Sequence, residues 1–166
     1  MLAYAQLMDS PLGPLSVGAS QRGVAVVLFG IEQSGVLEGG MGLVYAEQAV
    51  QQLLAYFSGD RSGFNVPIDW NVLPDFQRRV LLATVEIPFG EVRTYAQIAR
   101  AIGAGGAARA VGNAEARNPM PLLVPCHRVV GSDRRMHGYG GPGGIERKIG
   151  LLKLEGHHFC GELLND

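Results

Sequence analysis

The sequence contains little cysteine, no long apolar run and no excess of charge of either sign. Two cysteines, Cys126 and Cys160, occur among 166 residues, which excludes a disulfide framework and fits a reducing compartment. No apolar segment is long enough to span a bilayer, and residues 1–6 lack the basic region and apolar core of a signal peptide. We therefore expect a cytoplasmic protein that does not associate with membranes.

The net charge of −1 by itself argues against a nucleic-acid-binding protein, but the charge is unevenly distributed. Residues 1–70 carry two basic and six acidic residues, a net charge of −4. Residues 71–166 carry twelve basic and nine acidic residues, a net charge of +3. A moderately basic second half is compatible with contacts to phosphates. The length allows one or two small domains with a sizeable core.

The first half shows short apolar segments separated by turn-forming residues, and it lacks a convergent polar cluster. Such segments predict a three-stranded antiparallel meander followed by a loop, a helix and one more strand. We expect this half to be a scaffold. The predicted strands are 4–8, 14–19, 23–29 and 64–70, the surface loop is 30–42, and the helix is 44–58.

The second half carries a helix-turn-helix pattern. A helix over residues 75–85 comes first, and Thr94 is placed to cap a short helix over residues 95–102. A glycine turn at residues 103–106 leads to a second helix over residues 107–116. Two short helices joined by a glycine-bearing turn are typical of this DNA-binding motif.

The second of these helices is composed of small residues around one arginine, Arg109. A helix that reads bases in the major groove usually carries several long polar side chains, and this one has almost none. Small residues let the backbone approach a surface closely, which favours sequence-independent binding in the minor groove. The alternative is a helix packed tightly against another element of the protein. The small residues are Ala107, Ala108, Ala110, Gly112 and Ala114.

One stretch carries the chemistry. Three prolines precede Cys126, and His127 and Arg128 follow it. Because proline fixes φ, we expect a stiff, extended approach to the thiol and a buried strand at residues 129–130. A thiolate is a strong nucleophile, and a neighbouring imidazole commonly generates it. The alternative is that Cys126 is a small buried apolar residue.

The last part of the chain adds a glycine-rich loop at residues 138–144 and a helix at 145–154. The loop is not a phosphate-binding P-loop, because no Gly-Lys-Ser/Thr follows it. Cys160 follows two histidines, but too few ligands surround it for a closed zinc site. We expect it to be a free structural thiol and predict no metal site.

Taken together, these residues resemble the O6-alkylguanine-DNA alkyltransferases, or methylated-DNA–protein-cysteine methyltransferases. The resemblance covers residues 76–156 and is most specific in the Pro-Cys-His-Arg-Val run at 125–129. The first half matches loosely, chiefly at residues 10–15. Other matching motifs are Ile87-Pro-Phe-Gly-Glu91, Tyr95-Ala-Gln-Ile-Ala99, Ala108-Arg-Ala-Val-Gly112, Asn118-Pro119, Gly138-Tyr139, Leu151-Leu152 and Glu155-Gly156.

The resemblance implies a role for each matching residue. Cys126 takes the alkyl group, and His127, through a bridging water, forms with Glu155 the relay that lets the thiol ionise. Tyr95 donates a proton to guanine N3, Asn118 is a hinge, and Arg109 fills the stack when the base leaves. The implied DNA-binding residues are Arg109, Ala107, Ala108, Ala110, Gly112 and Arg128, and the implied pocket residues are Tyr139, Val129 and Pro121.

The resemblance also implies an α/β fold and a reaction. Residues 1–70 would form a small ribonuclease-H-like scaffold domain. Residues 71–166 would form a winged-helix-like domain with a helix-turn-helix that binds DNA and accepts the alkyl group. A monomer would take the alkyl group of O6-alkylguanine in double-stranded DNA, with O4-alkylthymine as a second candidate substrate, after flipping the base from the minor groove. Since the thioether formed cannot be hydrolysed, each molecule would act once, without metal or organic cofactor.

Three other functions compete with this one. A cysteine hydrolase using Cys126 and His127 would need direct contact between them, which adjacent positions in an extended segment disfavour. A non-catalytic binder of alkylated DNA would lack the nucleophilic cysteine, which is present here. A helix-turn-helix regulator would need a base-reading helix, which the alanine-rich helix is not.

Overall fold

The computed structural model describes residues 1–32, 40–60, 62–137, 139 and 143–165. The chain divides into two compact units, Met1–Leu73 and Pro74–Asp166. The boundary predicted from the sequence lies between residues 70 and 71, close to this division. No helix among the described residues is long and apolar enough to cross a membrane.

The first unit is a three-stranded sheet with one helix against it. The strands pair antiparallel in the order β1-β2-β3, which confirms the predicted meander. Helix α1 packs on all three strands, and it approaches β2 so closely that a Cβ on Gly42 would lie 2.8 Å from the carbonyl oxygen of Ala19. The elements are β1 (Ala3–Leu7), β2 (Leu15–Ser20), β3 (Gly23–Phe29) and α1 (Met41–Phe57).

The predicted strand over residues 64–70 was wrong. Ile68 makes a single parallel bridge to Val24, and a 3-10 helix, Trp70–Val72, begins directly afterwards. The Asp69 side chain caps this helix by accepting a hydrogen bond from the backbone N–H of Asn71. A capping aspartate favours a turn over a continued strand. Most of the predicted loop over residues 30–42 lies outside the described residues.

The second unit contains the helix-turn-helix as predicted. Thr94 and Gln97 form a reciprocal capping box at the start of the first helix of the motif. The turn that follows uses Gly103 and Gly106, both at positive φ, which glycine adopts without strain. The elements are α2 (Asp75–Val85), β4 (Arg93–Thr94), α3 (Tyr95–Ala101) and α4 (Ala108–Ala116).

A hydrophobic core joins these helices to the segment that carries the predicted nucleophile. Strand β5 (Val129–Val130) pairs parallel with β4, so the two valines form the expected buried strand. Helix α5 (Gly144–Leu154) and the hairpin of β6 (Phe159–Cys160) and β7 (Leu163–Leu164) complete the unit. The core residues around β5 are Val80, Ile87, Ile98, Ala99, Val111, Ala114 and Val129.

The approach to Cys126 is not extended, contrary to the prediction. Leu122 adopts a φ of 75°, and residues Cys126–Arg128 form a 3-10 helix. The backbone N–H of Cys126 donates to the carbonyl of Val124 at 2.8 Å, which tightens the turn. Prolines restrict φ but are compatible with turns as well as strands, so the proline pattern did not distinguish the two.

Two other predictions concern the last part of the chain. Cys160 is free, as expected, but exposed, so it does not support a core. Four residues of the glycine-rich loop predicted at 138–144, namely 138 and 140–142, lie outside the described residues.

Candidate active site

The thiol of Cys126 is buried in the second unit and held by Asn118. Cys126 is 6% exposed. The Asn118 side-chain amide lies 3.1 Å from Sγ and donates at 2.9 Å to the carbonyl of Val124. The Asn118 carbonyl oxygen accepts the backbone N–H of Met120 at 3.0 Å. One side chain therefore ties the end of the helix-turn-helix segment to the turn that presents the thiol.

The surroundings keep this thiol protonated in the resting protein. Burial, together with the charge of Glu115, raises the pKa of Cys126 to about 12. Hydrogen bonds from Asn118 and Tyr139 and the charge of Lys148 lower the pKa of the thiol, but by less. Because the thiolate is the nucleophilic form, the site needs a group that accepts the proton during the reaction.

Glu155 is the centre of a buried network next to the nucleophile. Its carboxylate accepts hydrogen bonds from the Arg128 guanidinium, the shortest at 2.9 Å, and from the backbone N–H of Gly90 at 3.2 Å. His127 Nε2 lies 2.8 Å from Glu155 Oε1. Arg128 also donates at 2.6 Å to the carbonyl of Ile87. The carboxylate is thus held by hydrogen bonds from Arg128, Gly90 and His127.

This contact sets the tautomer of His127. A carboxylate only accepts, so Nε2 carries the hydrogen and Nδ1 is left as the basic nitrogen. Nδ1 is buried, and no group among the described residues hydrogen-bonds it. Burial lowers the pKa of His127, although Glu155 acts in the opposite direction. His127 is therefore a neutral imidazole with its proton-accepting nitrogen unengaged by the described protein groups.

Tyr95 and Lys148 form a second polar group at the site. The Lys148 ammonium donates at 2.6 Å to the carbonyl of Val129 and lies 3.5 Å from the Tyr95 hydroxyl oxygen. Because the lysine supplies the hydrogen to that oxygen, the phenolic hydrogen stays available for another acceptor. Burial, with the charges of Glu115 and Cys126, raises the pKa of Tyr95 to about 12, so the phenol remains a donor at neutral pH.

An open cavity lies between the outer face of α4 and the segment that follows β5. Arg109 on this face is exposed, whereas Val111, Ala114 and Glu115 face inwards. The cavity therefore combines a phenolic donor, the exposed cation of Arg109 and a surface of small residues. Its lining includes Tyr95, Ala108, Arg109, Gly112, Asn113 and Tyr139.

Two family models match this chain, one in each half. Residues 75–157 match the model described as 6-O-methylguanine DNA methyltransferase, DNA binding domain. Residues 3–70 match the model described as 6-O-methylguanine DNA methyltransferase, ribonuclease-like domain. The chain belongs to the 6-O-methylguanine DNA methyltransferase family.

Relatives from this family match over most of their length. A methylated-DNA–protein-cysteine methyltransferase of Mycobacterium leprae is 44% identical over 163 residues, or 94% of each chain. One of Methanosarcina acetivorans is 39% identical over 156 residues, covering 92% of this chain and 98% of the relative. The crystal structure of Mycobacterium tuberculosis OGT in complex with DNA matches with a TM-score of 0.77 and 42% identity over 92% of each chain. The predicted family, enzyme class and two-domain fold are therefore confirmed.

The structure corrects three assignments among the expected site residues of this methyltransferase family member. Arg128 was expected to contact DNA, but it is 5% exposed and its guanidinium is engaged by Glu155 and the carbonyl of Ile87. Val129 was expected to line the substrate pocket, but its side chain is fully buried in the hydrophobic core. Pro121 was also expected to line the pocket, but it is buried in a short bridge with Val124 and is not among the residues that line the cavity.

Sequence reasoning missed two buried charged residues beside the thiol. Lys148 is 1% exposed and Glu115 is 6% exposed. Each occupies a core-facing position of its helix, where lysine and glutamate are rarely fully buried without a reason. A glutamate and a lysine at apolar positions of the helical pattern were the signal that could have identified them.

Proposed function

We propose that this protein repairs O6-alkylguanine, with O4-alkylthymine as a second substrate, in double-stranded DNA by moving the alkyl group irreversibly to Cys126. Two contacts support the proposal most strongly. Asn118 holds the buried thiol, and Glu155 fixes the tautomer of the neutral His127 next to it in the sequence. The thiolate attacks the alkyl carbon, the C–O6 bond breaks, and its electron pair passes to the guanine. The thioether cannot be hydrolysed, so one molecule acts once, as a monomer in the cytoplasm.

His127 and Glu155 prepare the nucleophile in this proposal. His127 Nδ1 takes the thiol proton through a bridging water, and the Glu155 carboxylate stabilises the imidazolium that forms. The proton relay is supported by the 2.8 Å contact between His127 Nε2 and Glu155. The 3-10 turn points consecutive side chains in different directions, so Cys126 meets Asn118 while His127 meets Glu155.

Tyr95 assists the leaving group. A guanine that loses its alkyl group from O6 would carry negative charge, and a hydrogen bond to N3 disperses that charge. Tyr95 lines the cavity, and its hydroxyl hydrogen is not used by Lys148. The raised pKa of Tyr95 keeps the donor protonated at neutral pH. Tyr139 lines the same cavity, as proposed for the alkyl pocket.

The outer face of α4 grips the DNA from the minor groove. Ala107, Ala108, Ala110 and Gly112 allow close approach, and exposed Arg109 enters the stack as the damaged base turns into the cavity. Arginine suits this position because it is planar and can hydrogen-bond the orphaned cytosine. The scaffold role of residues 1–70 and the DNA-binding and alkyl-accepting role of residues 71–166 belong to the same proposal.

Intact-mass measurement tests the proposal directly. Mixing the protein with a duplex that contains O6-methylguanine should add one methyl group per molecule, mapped by peptide analysis to Cys126. The chain offers a matched control, since its second thiol, Cys160, is exposed. Cys160→Ser should still take up one methyl group and Cys126→Ser none. Methyl transfer to Cys160, or many product molecules per protein, would contradict the proposal.

A further inference from the structure

A buried carboxyl group, Glu115, has no part in the chemistry proposed above. It lies on the inner face of α4 and is 6% exposed. One oxygen, Oε1, is in hydrogen-bond contact with the hydroxyl of Thr84 on α2. The other oxygen, Oε2, is buried, and none of the described residues hydrogen-bonds it. A buried carboxylate anion with a single partner is strongly disfavoured, so the protonation state of Glu115 matters.

The single hydroxyl hydrogen of Thr84 determines the protonation state of Glu115. Thr84 Oγ1 also lies 3.0 Å from the carbonyl oxygen of Val80, which can only accept. A threonine hydroxyl carries one hydrogen, so an ionised Glu115 would leave one of these two contacts without any. A protonated Glu115 donates to Thr84, which then donates to Val80, and both contacts hold a hydrogen. The geometry therefore favours a neutral carboxylic acid.

The surroundings of Glu115 agree with this state. Burial raises the pKa of Glu115 to about 7, although the Thr84 hydrogen bond and the Lys148 charge lower it. Within the part of the chain that the structure describes, no ion pair joins Lys148 to Glu115, because the ammonium is directed to Val129 and Tyr95. An acid of this kind changes its charge within the physiological pH range.

Glu115 lies next to the groups that carry out the transfer: its backbone carbonyl accepts the N–H of Asn118 at 3.0 Å, and the Asn118 side chain lies 3.1 Å from Cys126 Sγ. After burial, the Glu115 charge is the largest cause that raises the pKa of Cys126, and it raises the pKa of Tyr95 as well. Ionised Glu115 therefore opposes formation of the thiolate. The titratable groups around it are Tyr95 of α3, Cys126 of the 3-10 turn and Lys148 of α5, while α2 contributes the hydroxyl of Thr84.

We propose that Glu115 is a positioning residue, held as a neutral acid by Thr84 and Val80, that keeps Cys126 reactive as long as it stays neutral. This inference rests on the proposed function, because it takes Cys126 as the acceptor. Rising pH then has opposed effects on the thiol. Bulk base favours the thiolate, whereas the ionisation of Glu115 disfavours it. Loss of the Lys148 charge disfavours the thiolate as well, since burial lowers the pKa of Lys148 to about 8, but this effect is common to the wild type and to a variant that changes only Glu115.

The variant Glu115→Gln tests the proposal, because glutamine keeps the shape, donates to Thr84 and cannot ionise. Single-turnover transfer from an O6-methylguanine duplex is measured from about pH 6 to about pH 9. The two proteins should have equal rates near the lower limit. The variant should be about tenfold faster near the upper limit, which corresponds to one pKa unit of thiol acidity. Equal rates at every pH, or a variant slower throughout, would overturn the proposal.

Glu86→Gln is the matched control, since Glu86 is an exposed carboxylate at the end of α2. It should follow the wild-type rate at every pH. A pH profile shifted by Glu86→Gln as much as by Glu115→Gln would mean that net charge, and not position, is responsible, and would also overturn the proposal.

A measurement without DNA separates this proposal from the proposed function. Carbon-13 NMR of glutamate side chains should show one carboxyl carbon that titrates near pH 7 and disappears in Glu115→Gln. If all glutamates titrate in the ordinary range, near about pH 4, Glu115 is not a neutral acid, whatever the transfer assay shows. If the titration is present but no methyl group is transferred, the neutral acid stands and the proposed function fails.

Discussion

Replacing Glu155 by glutamine removes one negative charge from a position that the structure surrounds with hydrogen-bond donors. The carboxylate is fully buried and accepts from Arg128, His127 and the backbone N–H of Gly90. Glutamine keeps one acceptor oxygen and turns an NH₂ group towards one of these donors. Arg128, whose side chain is 6% exposed, then remains buried without its counter-charge.

The expected loss of stability follows from this burial. Breaking a buried ion pair by removing one partner costs about 3–5 kcal/mol, because the remaining charge is uncompensated. For a protein of this size, such a loss lowers the Tm by on the order of 10 °C. Thermal unfolding followed by circular dichroism measures it. The double variant Glu155→Gln/Arg128→Met should lose less stability than the sum of the two single variants, because it leaves no buried charge.

The same variant should also be slower in transfer, and the two effects can be separated. Measured well below its Tm, Glu155→Gln should transfer more slowly at neutral pH and recover part of the rate as the pH rises, because bulk base then replaces the relay. A Tm within about 1 °C of the wild type, equivalent to less than about 0.5 kcal/mol, would refute the electrostatic reasoning. An unchanged rate at every pH would remove Glu155 from the relay and leave it as a brace for Arg128.

The remaining predictions concern Cys126, Arg109 and the helix cap Thr94. Cys126→Ser should abolish transfer and retain affinity for alkylated duplex DNA, measured by fluorescence anisotropy; equal loss of both in a folded variant would contradict the division of roles. Arg109→Ala should slow transfer from duplex DNA far more than transfer from free O6-benzylguanine, because the free base needs no flipping. If Arg109 only contacts a phosphate, the loss should be in affinity, should shrink at low salt and should be rescued by Arg109→Lys. Thr94→Ala should destabilise the protein by about 1 kcal/mol in urea unfolding, since it breaks the capping box, and an unchanged midpoint would show that the cap contributes nothing.

Local features of the fold were readable from the sequence because local interactions determine them. The helix over residues 75–85 was predicted with the bounds it has, and Thr94 was identified as a cap. Capping, helical spacing and glycine turns involve residues a few positions apart, so their signal lies within a short window. The family, too, was readable, because its most specific motif is the continuous run at residues 125–129.

Contacts between distant positions were decided only by the tertiary structure. Arg128 follows the nucleophile directly, but the carboxylate that removes it from the DNA-binding surface is Glu155, 27 residues away. Glu115 contacts Thr84, which is 31 positions away in the sequence. Only the contacts of Thr84 with Glu115 and with the carbonyl of Val80 show that the Glu115 carboxyl group has to supply a hydrogen. The sequence by itself determined which chemical groups this protein has and how its helices begin and end. Which of those groups are buried, paired or neutral depended on long-range packing, because burial and hydrogen bonding to remote partners set the charge of an ionisable side chain.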